Sequence, residues 1–235
     1  MKECFSRLRN MDLRAKALPI LAEFVSSFLF EFISVAIRML RPDISYNIQL
    51  LITAIVEALG LSAAVFIAAD VSGGHINPAV TLAFAIGGHI SIPTAIFYGA
   101  SQMLASMTAC LCLNRLSAHK AVRNRITRFS LKIKGIFASI LEGVMTFVLV
   151  LAVLVALDPL RADTKSRAAR MAFVAGLATF VSVLTVGPLT GASLNPAHSF
   201  GPALASGKYH NQVVYWVGPM IAGAVAAPVY RMVRS

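Results

Sequence analysis

The chain has 235 residues, of which 57% are hydrophobic and only 13% are charged, and its mean hydropathy is +0.75. A soluble domain carries roughly 25% charged residues, so this composition excludes an ordinary soluble protein and indicates several membrane spans. The net charge of +11 does not indicate a nucleic-acid partner, because the Lys and Arg residues lie in short segments between apolar runs, where they suit lipid headgroups.

Six apolar segments follow one another along the chain, and each is long enough to cross a bilayer once as a helix. The first follows a basic stretch and contains Glu23 but no convincing cleavage site, which favours a retained span over a signal peptide. The segments cover about Ala17–Ile37, Ile48–Ala69, Thr94–Leu113, Gly135–Leu157, Ala168–Leu189 and Gln212–Val233. The sequence therefore predicts an all-α membrane protein in which residues 1–235 form a single domain.

The motif Asn-Pro-Ala follows the second span and occurs again after the fifth. Asn is a good N-cap and Pro is favoured at the first helical position, so each motif predicts the start of a helix. The first helix, from Asn77 to Ile86, would be only about 15 Å long, half the thickness of the hydrocarbon core. The second is similarly limited by Gly207. The sequence therefore predicts two re-entrant half-helices, which begin at Asn77-Pro78-Ala79 and at Asn195-Pro196-Ala197.

Landmarks in the two halves of the chain recur at nearly one spacing. Glu23 and Glu142 are about 119 residues apart, and Asn77 and Asn195 are about 118 residues apart. This regularity indicates two internal repeats, each with three spans and therefore with opposite orientations in the membrane. Inverted repeats with half-length helices place the functional site near the midplane, between the repeats. The repeats cover about residues 17–115 and 135–233.

The doubled Asn-Pro-Ala, the motif Glu-x-x-x-Ser/Thr-Phe at Glu23 and Glu142, and the six-plus-two layout resemble the major intrinsic proteins, the aquaporin family. Residues 68–75 and 211–219 are similar to plant tonoplast intrinsic proteins, and the divergent fifth subgroup is the best match. The resemblance implies a passive channel for water and small neutral solutes, with urea and ammonia as candidates. It also implies a homotetramer in the plant vacuolar membrane or another internal membrane, without a cofactor and without enzymatic activity.

The resemblance further implies how the half-helices act. Their N-termini would meet near the bilayer centre, where the positive ends of the helix dipoles repel cations. The side-chain amides of Asn77 and Asn195 would donate hydrogen bonds to a passing water molecule. Glu23 and Glu142 would accept hydrogen bonds from the re-entrant loops, although a proton relay is an open alternative for carboxylates inside a membrane. His75 is expected to line one mouth of the pore or to brace it.

A constriction near the non-cytoplasmic mouth is also implied, and its four residues map to Glu57, Val183, Ala192 and His198. Most members of the family have Arg at the position of His198. Arg is always charged, whereas His is mostly neutral at pH 7, so this departure predicts a less strict water filter and a weaker barrier to cations. Two alternatives remain: Glu57 could face a neighbouring helix, and His198 could be a buried residue with satisfied hydrogen bonds.

Other classes of function are less well supported by the sequence. A coupled secondary transporter is the main alternative, because inverted repeats and buried carboxylates also occur in transporters. An enzyme is disfavoured, because we find neither a nucleophile with its base nor a spacing of residues suited to a metal. The three cysteines, Cys4, Cys110 and Cys112, form no disulfide framework and no metal-binding pattern.

Small residues in two spans predict where subunits of a tetramer would touch, because small side chains let membrane helices approach closely. The first candidate face lies in the last span and the second in the third span. The faces consist of Ala222, Gly223, Ala226 and Ala227, and of Ala100, Ser101 and Ala105.

Overall fold

The computed structural model describes residues 2–39, 45–116, 134–158 and 166–234, with side chains from Ala17 onward in the first range. Across these ranges the chain forms six helices that are long and apolar enough to cross a membrane and two short helices between them. This arrangement confirms the predicted all-α class. The helices are α1 (Lys2–Met39), α2 (Tyr46–Ala68), α3 (Pro78–Ile86), α4 (Ile92–Leu116), α5 (Gly135–Leu157), α6 (Arg167–Thr190), α7 (Pro196–Ser206) and α8 (Gln212–Arg234).

The long helices coincide with the predicted spans. At most of the helix ends, the observed and predicted bounds differ by only a few residues. The largest difference is in α1, which begins at Lys2 within the basic segment and ends at Met39. The sequence placed the end of this span at Ile37. The additional residues matter because they include Arg38, which the prediction left outside the membrane span.

The short helices α3 and α7 begin at the two Asn-Pro-Ala motifs. In each, the Asn side chain accepts a hydrogen bond from the backbone N–H two residues later, at 2.8 Å in α3 and 2.9 Å in α7. Pro occupies the first helical position in both, where its missing N–H leaves no partner unsatisfied. The helix α7 ends at Ser206 and is followed by Gly207, whose φ of 68° lies in the left-handed region that favours Gly at helix ends.

The spans bury their polar residues and turn apolar residues outward, as expected for helices surrounded by lipid. On α1, exposed large apolar residues recur every three or four positions along one face of the helix. They are Leu18, Leu21, Val25, Leu29 and Ile33. The opposite face is buried and carries Glu23, Ser27, Phe30, Glu31 and Ser34. The interior of the bundle therefore contains the polar chemistry.

The small-residue faces predicted for subunit contacts lie almost entirely inside the subunit, so this prediction was wrong. A Cβ atom at Gly223 would collide with the carbonyl oxygen of Ala79 in α3, and Ser101 donates a hydrogen bond to the carbonyl of Ile20 in α1 at 2.8 Å. Small residues here allow α8 and α4 to approach neighbouring helices of the same chain. Of the seven predicted residues, Ala100 is the one that is exposed.

Candidate functional site

A narrow cavity lies between the N-termini of the two half-helices. Its volume is about 20 Å³, slightly more than the roughly 10–15 Å³ that one water molecule needs. Much of its wall is apolar and comes from α1, α2, α5 and α6. Its polar side chains belong to Glu57, His75, Asn77, Thr179, Ser193, Asn195 and His198. The cavity therefore brings together the two Asn residues, His75 and part of the predicted constriction.

Residues 69–77 form the first loop, before α3, and residues 191–195 form the second loop, before α7. Each Asn binds the loop that carries the other. The Nδ2 atom of Asn77 donates to the carbonyl of Leu194 at 2.9 Å, and Nδ2 of Asn195 donates to the carbonyl of Ile76 at 3.1 Å. An amide nitrogen carries two N–H groups. Each Nδ2 atom uses one N–H in these hydrogen bonds. Its second N–H has no partner among the described residues and can donate to a molecule in the cavity.

The residue before each Asn has a left-handed backbone. Ile76 has a φ of 58° and Leu194 has a φ of 56°, a conformation that is uncommon outside Gly and is an outlier for a β-branched residue. The same conformation turns both carbonyl groups toward the opposite Asn. Such strain persists only where surrounding contacts hold it, and two buried carboxylates provide those contacts.

Glu23 is fully buried and binds the first loop. Its carboxylate accepts hydrogen bonds from the backbone N–H groups of His75 at 2.9 Å and Ile76 at 2.8 Å. It also accepts from the hydroxyl of Ser72 at 2.6 Å and from the side-chain amide of Gln102 at 2.8 Å. A carboxylate has about four acceptor positions, so all of them are used.

Glu142 has the equivalent position beside the second loop. Its carboxylate accepts hydrogen bonds from the backbone N–H groups of Ser193 at 3.0 Å and Leu194 at 2.7 Å. The side chain of Thr146, one turn later on α5, contacts the carbonyl of Leu194 at 3.3 Å. The two carboxylates therefore bind equivalent backbone groups in the two loops.

Three of the four predicted constriction residues, Glu57, Ala192 and His198, lie on the cavity wall. The fourth, Val183, is buried in an apolar cluster with Ala54, Val186 and Ala192, and its place in the constriction stays a prediction. Thr179, one turn earlier on α6, lines the cavity.

His198 is buried and pairs with an acidic residue of α1. Its Nδ1 atom lies 2.9 Å from Oε2 of Glu31, and its ring lies 5.6 Å from the ring of Phe30, centre to centre. The other ring nitrogen, Nε2, has no partner among the described residues. His198 therefore has one nitrogen fixed by Glu31 and one available to a molecule in the cavity.

Glu57 is also bound by α1. Its carboxylate accepts a hydrogen bond from the hydroxyl of Ser34 at 2.5 Å. The guanidinium of Arg38 donates to both carboxylate oxygens, through Nε to Oε1 and through Nη2 to Oε2, the latter at 2.9 Å. Glu57 and His198 are thus each paired with a different residue of α1.

Glu31, Ser34 and Arg38 are site residues that the sequence reasoning missed. Their positions differ by three and four residues, so they share one face of α1. Polar residues on one face of a membrane span are a recognisable signal of a functional interior. That signal was available in the sequence.

His75 belongs to the loop before α3 and lines the same cavity. Its backbone N–H binds Glu23, its Nδ1 atom lies 3.2 Å from the hydroxyl of Thr81, and its ring centre lies 4.2 Å from that of Phe84. Its Nε2 atom has no partner among the described residues. The side chain lines the cavity and also takes part in packing, so both of the expected roles are compatible with its position.

The sequence is similar to a known protein family and to plant relatives. Residues 11–230 match the family described as Major intrinsic protein. The chain is 53% identical to Probable aquaporin TIP5-1 of Oryza sativa subsp. japonica, over 98% of this chain and 86% of the relative. It is 45% identical to Probable aquaporin TIP5-1 of Arabidopsis thaliana, over 89% and 82% of the two chains.

A solved structure shares the fold. The aquaglyceroporin from Plasmodium falciparum superimposes with a TM-score of 0.77, covering 92% of this chain and 94% of that chain, at 21% sequence identity. The structural similarity shows the fold; the family match over residues 11–230 and the plant relatives identify the chain as a member of the major intrinsic protein family, the aquaporins.

Proposed function

We propose that this protein is a passive channel in which water and small neutral solutes pass between the half-helix N-termini and through a constriction that contains Glu57 and His198. Aquaporins are membrane channels for water and small solutes and are not enzymes. The observation that carries the specific proposal is the cavity between Asn77 and Asn195, where each Asn retains a donor beside a largely apolar wall.

The chemistry of this cavity suits rapid passage of neutral molecules. The N-termini of α3 and α7 carry partial positive charge, which opposes the entry of cations, including hydronium. A water molecule that accepts hydrogen bonds from Asn77 and Asn195 is oriented by them and cannot relay a proton along an unbroken file. Because most of the cavity wall is apolar, the molecule is held weakly and leaves quickly.

The pairing of His198 supports a constriction that differs from one built on Arg. With Nδ1 bound to Glu31, the ring presents one nitrogen to the cavity. An Arg side chain at this position would be longer and would present several donors in a fixed fork. We propose that the channel therefore admits neutral solutes such as urea and ammonia in addition to water.

A coupled transporter is not favoured by the contacts of the buried carboxylates. Glu23 uses all of its acceptor positions on Ser72, Gln102 and the first loop. A carboxylate that carries protons during transport must exchange its partners, and here such an exchange would release a strained loop. These contacts support a role for Glu23 and Glu142 in holding the half-helices in place.

We further propose a location and an assembly. The names of the plant relatives place this chain beside TIP-type aquaporins, and we propose the plant vacuolar membrane as its location. We also propose a homotetramer with one pore in each subunit. Cross-linking and native mass measurement in lipid nanodiscs would test the assembly, and a monomer that conducts fully in liposomes without associating there would contradict it.

Stopped-flow light scattering of proteoliposomes tests the proposed function. Vesicles are exposed to gradients of an impermeant osmolyte, urea, glycerol and ammonia, with protein-free vesicles of the same lipid as the control. We expect shrinkage faster than in protein-free vesicles, with rates that rise linearly with the gradient and do not depend on ion gradients. Saturation, or a requirement for a proton or sodium gradient, would indicate the transporter instead.

A further inference from the structure

We propose that Arg38 of α1 is the cationic residue that determines selectivity at the constriction, and that it acts from a helix other than the one that carries His198. The proposal rests on the proposed channel function and names a further residue of the same site. In this arrangement Arg38 supplies the permanent positive charge from α1. His198 offers one ring nitrogen, Nε2, to the cavity.

The contacts of Arg38 place its guanidinium beside the constriction. Its Nη2 atom donates to the carbonyl of Gly191 at 3.1 Å, and Gly191 directly precedes Ala192 on the cavity wall. The same guanidinium pairs with both oxygens of Glu57, which also lines the cavity. Arg38 thus connects α1 to α2 and to the second loop at the position where the constriction is expected.

The guanidinium keeps hydrogen-bonding capacity for a permeating molecule. Its Nε and Nη2 atoms are bound to Glu57 and Gly191, and the contacts between described residues do not include Nη1. The side chain of Arg38 is 17% exposed, whereas that of Glu57 is 2% exposed. Arg38 is not part of the described cavity wall, but it binds Glu57 on that wall and Gly191 next to it. The proposal requires the partly exposed end of its guanidinium to face a molecule that enters the cavity.

The charges explain why this residue affects selectivity. Glu57 lines the cavity, and an unpaired carboxylate there would attract cations. Arg38 cancels that charge through a bidentate pair, the geometry for which a guanidinium is suited. Because Nη1 remains available, we propose that Arg38 also repels cations directly and donates a hydrogen bond to neutral molecules.

A purely neutralising role makes a different prediction, and Glu57 provides the means to separate the two roles. If Arg38 only cancels the charge of Glu57, the double variant Arg38→Gln/Glu57→Gln should exclude cations as well as the unmodified protein does. If Arg38 acts directly, the double variant should leak more cations than the unmodified protein, and Arg38→Gln alone should leak most. Glu57→Gln, which leaves the Arg38 charge uncompensated, should leak least.

The experiment measures the cation and proton leak of proteoliposomes with entrapped potassium- and pH-sensitive dyes, together with water permeability. For Arg38→Gln we expect the leak per channel to rise at least about tenfold, because an uncancelled charge within a few ångströms of a permeating ion changes its energy by several times RT. Arg167→Gln is the matched control, since Arg167 forms an exposed pair with Asp70 away from the cavity wall, and its leak should remain unchanged.

Adding His198→Arg to Arg38→Gln provides a second test, because an Arg at that position should restore the barrier if Arg38 supplies the missing charge. Folding of each variant is checked by its elution profile and thermal transition in detergent. Equal leak in Arg38→Gln, the double variant and the unmodified protein would overturn the proposal for Arg38. A failure of the unmodified protein to conduct water would instead overturn the proposed function, so the two failures are distinguishable.

Discussion

The buried carboxylate of Glu23 provides the sharpest stability test, through the substitution Glu23→Gln. This change replaces one acceptor oxygen by an NH₂ group, which cannot accept a hydrogen bond from another donor. The best compensation would place the NH₂ group toward Gln102, whose Oε1 atom has no partner among the described residues. The backbone N–H of Ile76, which now binds Glu23 at 2.8 Å, would still lose its acceptor.

An unsatisfied buried N–H costs about 1–3 kcal/mol, and the hydrogen bond from His75 is weakened because it loses its charged acceptor. Relief of the buried charge offsets part of this loss, so we expect a net destabilisation of about 2 kcal/mol. For a chain of this length, that corresponds to a fall in melting temperature of roughly 4–8 °C. Water permeability should fall as well, because α3 loses its anchor.

Thermal unfolding in detergent and stopped-flow shrinkage of proteoliposomes are the two measurements. Asp70→Asn is the matched control, because Asp70 forms an exposed pair with Arg167 and such pairs contribute at most about 1 kcal/mol. If Glu23→Gln melts and conducts like the unmodified protein, the carboxylate does not hold the loop. Loss of a proton-coupled flux without loss of stability would instead support the relay.

Two further predictions concern the half-helices. Asn77→Asp and Asn195→Asp each place a carboxylate where the helix ends are positive, so cation leak measured with entrapped dyes should rise by about tenfold; unchanged leak in a folded variant would refute the assignment of these residues to the pore. Gly223→Ala should destabilise the protein by about 1–3 kcal/mol through overpacking against α3, whereas Gly99→Ala, with open space around it, should be neutral in the same thermal assay. Equal melting temperatures for these two variants would contradict the close contact between α3 and α8.

Much of the fold was predictable because its determinants are local in the sequence. Six runs of apolar residues give the spans by length alone, and the Asn-Pro pairs give the starts of α3 and α7 through capping and the fixed φ of Pro. The binding of the loops by Glu23 and Glu142 was accessible only through resemblance to a family. Spacing along the chain does not reveal which loop a buried carboxylate contacts.

The missed features depend on contacts between distant elements. Arg38 was treated as a flanking charge because it follows the last apolar residue of the first span, yet α1 continues through it and turns it toward Glu57. Similarly, the small residues around Gly223 indicated a close helix contact, and the contact is present, but with α3 of the same chain. A small-residue face shows that something packs closely, and the tertiary structure decides what it is.

The most direct test of the central claim is the water permeability of a variant in which the cavity is filled. Ala175 lines the cavity and is 1% exposed, so Ala175→Trp should obstruct it, whereas Ala100→Trp, on the exposed surface of α4, serves as the control. With equal amounts of correctly folded protein in the vesicles, we expect the shrinkage rate of Ala175→Trp to fall to that of protein-free vesicles and Ala100→Trp to match the unmodified protein. Equal rates in all three proteins would show that water does not pass through this cavity.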